Sequence, residues 1–198
     1  MTILIAGATG KTGLRLVDQL KNSGHSPIAL VRESSDTSAL PKDIEQRQGD
    51  LTDLKSGVCD GCGAVIFAAG SGGSTGPEMT DKVDRDGAKR LIDLASEAGV
   101  SRFVMLSSAG ADDPDPDSDL AHYLQAKHDA DEHLKASGLN YAIVRPVSLT
   151  DEDGNRNMRF GGDVDPNGEA ARGDVAAVLA NAVEDSDWTG KALLMQSV

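Results

Sequence analysis

Tyr123 and Lys127 stand four residues apart in Tyr123-Leu124-Gln125-Ala126-Lys127, where Ala126, Ala130 and Leu134 recur at helical spacing. Residues four apart share a helix face, so the phenol and the ammonium can act on one site. A free phenol ionises near pH ~10, too high for proton exchange at neutrality, and a neighbouring ammonium favours the phenolate. That pairing suits proton transfer. A second group suits an anion. Gly7-Ala8-Thr9-Gly10-Lys11-Thr12-Gly13 follows the apolar run Ile3-Leu4-Ile5-Ala6 and precedes Leu14, Val17 and Leu20 at helical spacing. A strand, a glycine turn and a helix N-terminus aim backbone N–H groups and the helix dipole at a pyrophosphate. Gly7 permits the tight turn, Gly10 lets phosphates approach the backbone, and Gly13 lets the helix lie close to the strand. Thr9, Lys11 and Thr12 are counted with these glycines as cofactor-binding positions. Gly10-Lys11-Thr12 imitates the end of a triphosphatase loop, but that motif needs a glycine where Ile5 stands.

The elements that must position these groups are legible as apolar runs. Beside Ile3-Leu4-Ile5-Ala6 come Ile28-Ala29-Leu30-Val31, Ala64-Val65-Ile66-Phe67-Ala68, Phe103-Val104-Met105-Leu106 and Tyr141-Ala142-Ile143-Val144. Each is short, rich in β-branched residues and not alternating, as expected of parallel strands buried on both faces. Residues 44–48 form a weaker candidate, and 192–196 a last strand. Helical patterns lie between, the second being Leu91, Leu94 and Ala98, and glycines at 24, 99 and 138 suit the left-handed position after a last turn. Residues 174–183 read as a final helix. Strand and helix alternate, which predicts a single-domain α/β fold: a Rossmann-type doubly wound parallel sheet over residues 1–198, with helices on both faces. The substrate side would be built from loops around 71–80, 109–122 and 147–172.

The chain has 198 residues, enough for one core. Its formal net charge is −13, a field that repels nucleic acid and anionic membrane, so neither is an expected partner. The excess is mostly Asp, which suits a salt-rich cytoplasm. No stretch approaches the ~20 apolar residues that span a bilayer, and the start lacks the basic and cleavage features of a signal peptide. A cytoplasmic location is expected. Around the glycine turn the balance reverses: Lys11, Arg15, Lys21 and Arg32 face Asp18 alone within residues 1–32. The second strand ends Leu30-Val31-Arg32-Glu33-Ser34-Ser35. A carboxylate at this place holds the ribose 2′-hydroxyl of NAD, whereas Arg32 offers a planar fork to a 2′-phosphate, with Ser34 or Ser35 donating further. NADP(H) is therefore expected ahead of NAD(H), which Glu33 keeps open.

The chain resembles an atypical member of the short-chain dehydrogenase/reductase superfamily, in its NAD(P)H-binding, NmrA-like branch. It is similar to the bacterial NAD(P)-dependent epimerase-like group and, more distantly, to biliverdin IX-beta/flavin reductase. The resemblance rests on the glycine loop, Leu30-Val31-Arg32-Glu33-Ser34-Ser35, Gly49-Asp50-Leu51, Ala68-Ala69-Gly70, Leu106-Ser107-Ser108-Ala109-Gly110, Ser137-Gly138-Leu139 and Val144-Arg145-Pro146. It implies that Asp50 accepts from the adenine amino group while Leu51 packs on the ring. It implies that Ala68, Ala69 and Gly70 pass the ribose and phosphates, and that Pro146 and Val147 flank the nicotinamide. Tyr123 would move the proton, Lys127 would hold the nicotinamide ribose, and Ser107 or Ser108 would hydrogen-bond the substrate oxygen. The implied activity is hydride transfer to or from a small carbonyl or alcohol, or to a flavin or quinone, for which no protein acid is needed. The alternative is a regulatory protein that senses NAD(P)(H) without turnover. The partner implied is a small-molecule substrate, with a homodimer as one way to complete an open site.

Other features carry less. Cys59-Asp60-Gly61-Cys62 precedes a strand rather than opening a helix, and no second ligand pair completes a zinc site. His122, His128 and His133 are six and five apart, which does not place a metal pair on one face. Asp163, Asp165, Asn167, Gly168 and Asp174 imitate a calcium loop without the preceding helix, so no metal is expected.

Overall fold

A computed structural model of the chain describes residues 1–72 and 75–198. Its backbone is an eight-stranded sheet in the order β3-β2-β1-β4-β5-β6-β10-β8. The first six strands in sequence are β1 (Thr2–Ala6), β2 (Ser26–Val31), β3 (Glu45–Gln48), β4 (Ala64–Phe67), β5 (Arg102–Leu106) and β6 (Tyr141–Pro146). Near the chain's end, β10 (Lys191–Ser197) pairs parallel with β6 and antiparallel with β8 (Met158–Phe160). A separate parallel pair joins β7 (Ser148–Thr150) to β9 (Glu169–Ala171). The doubly wound fold expected from the sequence is the observed one.

Strand alternation divides the core into two layers. Ile3, Ile5, Ala64, Ile66 and Val104 pack on one face with α1 (Lys11–Asn22) and α5 (Arg172–Asn181). Leu4, Ala6, Val65, Phe67, Phe103 and Met105 pack on the other with α3 (Ala88–Glu97) and α4 (Ala121–Ala136). Both faces are covered, which is why the strands read as unbroken apolar runs. β3 is the exception. It is an edge strand of polar, largely exposed residues, so only its pairing with β2 marks it. Gly24, Gly99 and Gly138 all have positive φ, as their helix-ending role requires.

Two expected loops differ. Within 71–80, residues 73 and 74 lie outside the described residues, and α2 (Pro77–Thr80) is already helical, with proline in its first turn. The helix continues through a π-helical stretch, Asp81–Gly87, into α3. The segment 147–172 holds three short strands and a 3-10 turn rather than open loop. Three-residue strands have no period long enough to be legible. Among the described residues, no helix is long and apolar enough to cross a membrane.

Candidate functional site

The strand order reverses between β1 and β4, and open α/β sheets bind ligands outside the carboxyl ends of their strands at such a point. A cleft of about 370 Å³ lies there. Gly7, Thr9 and Gly10 line it after β1, Leu30, Arg32 and Ser35 at the end of β2, Gly49, Asp50 and Leu51 after β3, and Ala68, Ala69, Gly70 and Ser71 after β4. Met79 and Val83 close one side. The glycines are sterically required. A Cβ on Gly7 would lie 2.6 Å from the Ala68 carbonyl oxygen, and one on Gly13 would lie 2.0 Å from that of Gly7. Gly13 thus seats α1 against the turn instead of lining the cleft. Gly10 caps α1 without a side-chain bond, which leaves the first-turn amides for an anion.

At the far end the polar groups are partly committed. Asp50 Oδ1 accepts from the Thr52 amide at 2.9 Å and the Thr52 hydroxyl at 2.8 Å. The Thr52 amide first, then the hydroxyl and the Arg32 charge, hold the Asp50 carboxyl below its ordinary range against the opposing effect of burial. Its other oxygen remains available to a ligand donor. Ser35 Oγ accepts from the Arg32 amide at 3.0 Å, leaving its proton to donate. The Arg32 guanidinium is exposed and makes no ion pair or hydrogen bond among the described residues. It stands where the main cleft meets a second one lined by Arg32, Glu33, Ser34, Gln48, Gly49 and Asp50. Lys11 is placed differently from expectation. Its ammonium pairs with Asp151, which also takes Arg172 Nη1 at 2.6 Å, so Lys11 is held by the segment after β7 and does not line the cleft. Thr12 is buried in the first turn of α1.

The residues around α4 are set by one stripe. Tyr123, Lys127 and Asp131 follow at intervals of four, with Lys127 only 3% exposed and Asp131 fully buried. Lys127 Nζ lies 3.0 Å from Asp84 Oδ1 and 3.5 Å from the Ala69 carbonyl oxygen. It also sits 5.7 Å from the Tyr123 ring centroid and 5.6 Å from that of Phe67. Burial works against this ammonium, but the Tyr123 oxygen, Asp84 and Asp131 outweigh it and hold Lys127 above the usual lysine range. Lys127 is therefore engaged by the protein itself. Removing one member of such a buried pair costs about 3–5 kcal/mol. The Tyr123 ring is half-buried and its hydroxyl has no partner among the described residues.

Ser107 differs most from its expected role. Its amide extends the β5 ladder to the Val144 carbonyl at 2.8 Å. Alternation along the strand then puts its side chain on the face of Phe103 and Met105, toward α4. There its hydroxyl donates to Asp131 Oδ2 at 2.8 Å, and Arg145 Nε, on the same face of β6, donates to that oxygen at 3.0 Å. Burial raises the Asp131 carboxyl, and Arg145 and Ser107 only partly offset it. Ser107 is thus an internal donor, 4% exposed. Ser108 occupies the opposite face and is half-buried. Pro146 and Val147 are buried at the end of β6, where the Pro146 carbonyl accepts from the Ala109 amide at 2.9 Å.

Several contributors lie outside the motifs legible in the sequence: Ser71, Met79 and Val83 in the cleft, and Asp84 and Asp131 behind it. Met79 and Val83, four apart, carry a helical signal. Asp84 has none. Cys59 and Cys62 are free and buried, with burial pushing Cys59 up to about 12 and raising Cys62 as well. Neither is a reactive thiolate at neutral pH. Asp174 of the calcium-like pattern is fully buried and bound to Arg156 and Ser197.

A glycine-turn cleft at the switch point of a doubly wound sheet defines a dinucleotide-binding protein. The sequence from 7 to 186 matches the model of the NAD(P)H-binding family, and the chain belongs to that family. It is 36% identical over 200 residues to the "Uncharacterized sugar epimerase YhfK" of Bacillus subtilis, covering 97% of this chain and 92% of the relative. A Bacillus halodurans structure solved under an NAD-dependent epimerase/dehydratase name superposes with a TM-score of 0.90 at 35% identity, covering 100% of this chain and 94% of that one. The oxidoreductase ylbE of Lactococcus lactis gives 0.87 at 27% identity, covering 100% and 91%.

Proposed function

We propose that the chain is an NADP(H)-dependent oxidoreductase of the epimerase-like kind, working in the cytoplasm on a small carbonyl or alcohol. The observation that carries the cofactor preference is the uncommitted Arg32 guanidinium at the junction of the two clefts. The residues present fit the cofactor: the Gly7–Gly13 turn offers amides to the pyrophosphate, and Asp50 Oδ2 and Leu51 suit an adenine. Arg32 and Ser35 suit a 2′-phosphate. When bound, the nicotinamide supplies hydride transfer. Tyr123 holds or moves the proton at the substrate oxygen, since its hydroxyl is the free group on the α4 stripe. Lys127 sets the charge beneath that phenol. Ser108 is the donor to the substrate oxygen in this reading, exchanging its 3.3 Å bond to the Ala109 carbonyl for the substrate, because Ser107 is bound to Asp131. The name of the B. subtilis relative supports a sugar as the substrate class.

A flat flavin or quinone acceptor is the second reading, favoured by the withdrawal of Ser107 and Lys127 into buried pairs. Reductase turnover against sugar, carbonyl, flavin and quinone panels separates the two. In Tyr123→Phe, carbonyl turnover should collapse while NADPH binding persists. Undiminished carbonyl turnover would remove Tyr123 from the reaction, and retained flavin turnover would support the second reading.

A further inference from the structure

Asp84 is an acid with no exposure, placed by a π-helical stretch against two different parts of the site. Its Oδ2 accepts the Ser71 amide at 2.9 Å, in the loop that lines the cleft after β4. Its Oδ1 lies 3.0 Å from the Lys127 ammonium on α4. Gly70 makes the approach feasible, because a Cβ there would stand 3.2 Å from Oδ1. Gly87 does the same for the stretch itself, because its Cβ would stand 2.7 Å from the Leu51 carbonyl oxygen. Thr80 adds a hydroxyl contact to Ser71 Oγ at 3.1 Å. One buried carboxylate therefore touches both the cofactor-side loop and the helix that carries Tyr123. A buried pair is weak evidence for stability, since apolar residues can replace it without loss; what it supplies here is a fixed relative position of two elements.

We propose that Asp84 is a positioning residue: it ties the Ala69–Ser71 loop to Lys127, so that the cleft wall and the Tyr123 helix are set as one piece. The proposal rests on the cofactor reading above for its consequence in binding, and on geometry alone for the linkage. Asp84 is fully buried and does not line the cleft. It acts through the Ser71 amide on one side and the Lys127 ammonium on the other.

The test uses the full chain, ¹⁵N-labelled, in four forms: wild type, Asp84→Asn, Lys127→Met and the double variant. An amide donating to a buried carboxylate resonates downfield, so Asp84→Asn should move the Ser71 proton upfield. Lys127→Met should move the same resonance, because the carboxylate loses the ammonium that holds it. NADPH dissociation constants should rise about tenfold in each single variant. In the double variant they should rise no further, since both changes break one linkage. The double variant also leaves no unpaired buried charge, so it stays measurable if Lys127→Met fails to fold. A Ser71 resonance that ignores Lys127→Met would overturn the linkage. So would losses that multiply to about a hundredfold in the double variant. A wild-type protein that binds neither NADPH nor NADH would sink the cofactor reading instead, with the Ser71 shifts still reporting on Asp84.

Discussion

Replacing Arg32 by alanine isolates the basis of cofactor choice. The side chain is exposed and makes no hydrogen bond or ion pair among the described residues, so its loss should leave the fold intact, removing only its weak charge interaction with Asp50. Two unit charges about 4 Å apart in water attract by about 1 kcal/mol, and a doubly charged 2′-phosphate doubles that. A bidentate guanidinium geometry supports the same order of magnitude. The expected loss is about 2 kcal/mol, or roughly thirtyfold in the NADPH dissociation constant. NADH lacks the phosphate, so its affinity should stay within about twofold. The assay is a titration of reduced-nicotinamide fluorescence with each cofactor, in wild type and variant. Raising the salt concentration should shrink the NADPH difference, because the contact is solvent-exposed. An equal loss for both cofactors would refute the reasoning, since it would mean that Arg32 holds the shared part of the dinucleotide or the strand end itself.

Other consequences can be measured separately. Gly13→Ala drives a Cβ to 2.0 Å from the Gly7 carbonyl. That should cost about 3 kcal/mol and lower Tm by roughly 6–12 °C, and an unchanged melting curve would contradict the tight seat of α1. Asp174 is held below the ordinary carboxylate range because, although burial opposes its charge, Ser197 and the Arg156 amide and guanidinium outweigh that. Its anion thus contributes stability above the unfolded carboxylate range, and the contribution is lost as pH falls through the lower native value. Asp174→Asn should cost about 2 kcal/mol at neutral pH, with the gap to wild type closing in acid. A gap that is constant with pH in denaturant unfolding would assign the cost to packing. Cys59 and Cys62 should resist thiol reagents at neutral pH until denaturant opens the chain, and rapid labelling of the native protein would contradict their burial.

The sheet was legible because a strand covered on both faces must be apolar at every position, and five runs meet that condition. Its two flanks were less so. β3 is polar because an edge strand buries little, and β7, β8 and β9 are too short to show a period. The cleft was legible in its glycines and strand-end residues, whose types follow from close backbone approach to a ligand. The groups behind it were harder. Motif position points Ser107 at the substrate, yet counting alternate residues from Phe103 turns it toward α4. Lys11 was expected at the phosphates, and its capture depends on Asp151, far away in sequence. Asp84 is one of three aspartates in a charged stretch, Asp81 to Asp86, where nothing local distinguishes the buried carboxylate from the more exposed ones.

The wide turn between α2 and α3 bears on how insertions and deletions are tolerated along this chain. An α-helix advances about 100° per residue, so removing one residue between 81 and 87 would tighten the turn and rotate everything before it by that angle relative to α3. Either Asp84 would swing off Lys127, or Leu91 and Leu94 would swing out of the core. A single-residue gap here is therefore not the neutral event it would be in a surface loop, and the length of this stretch is as much a part of the site as the identity of its residues.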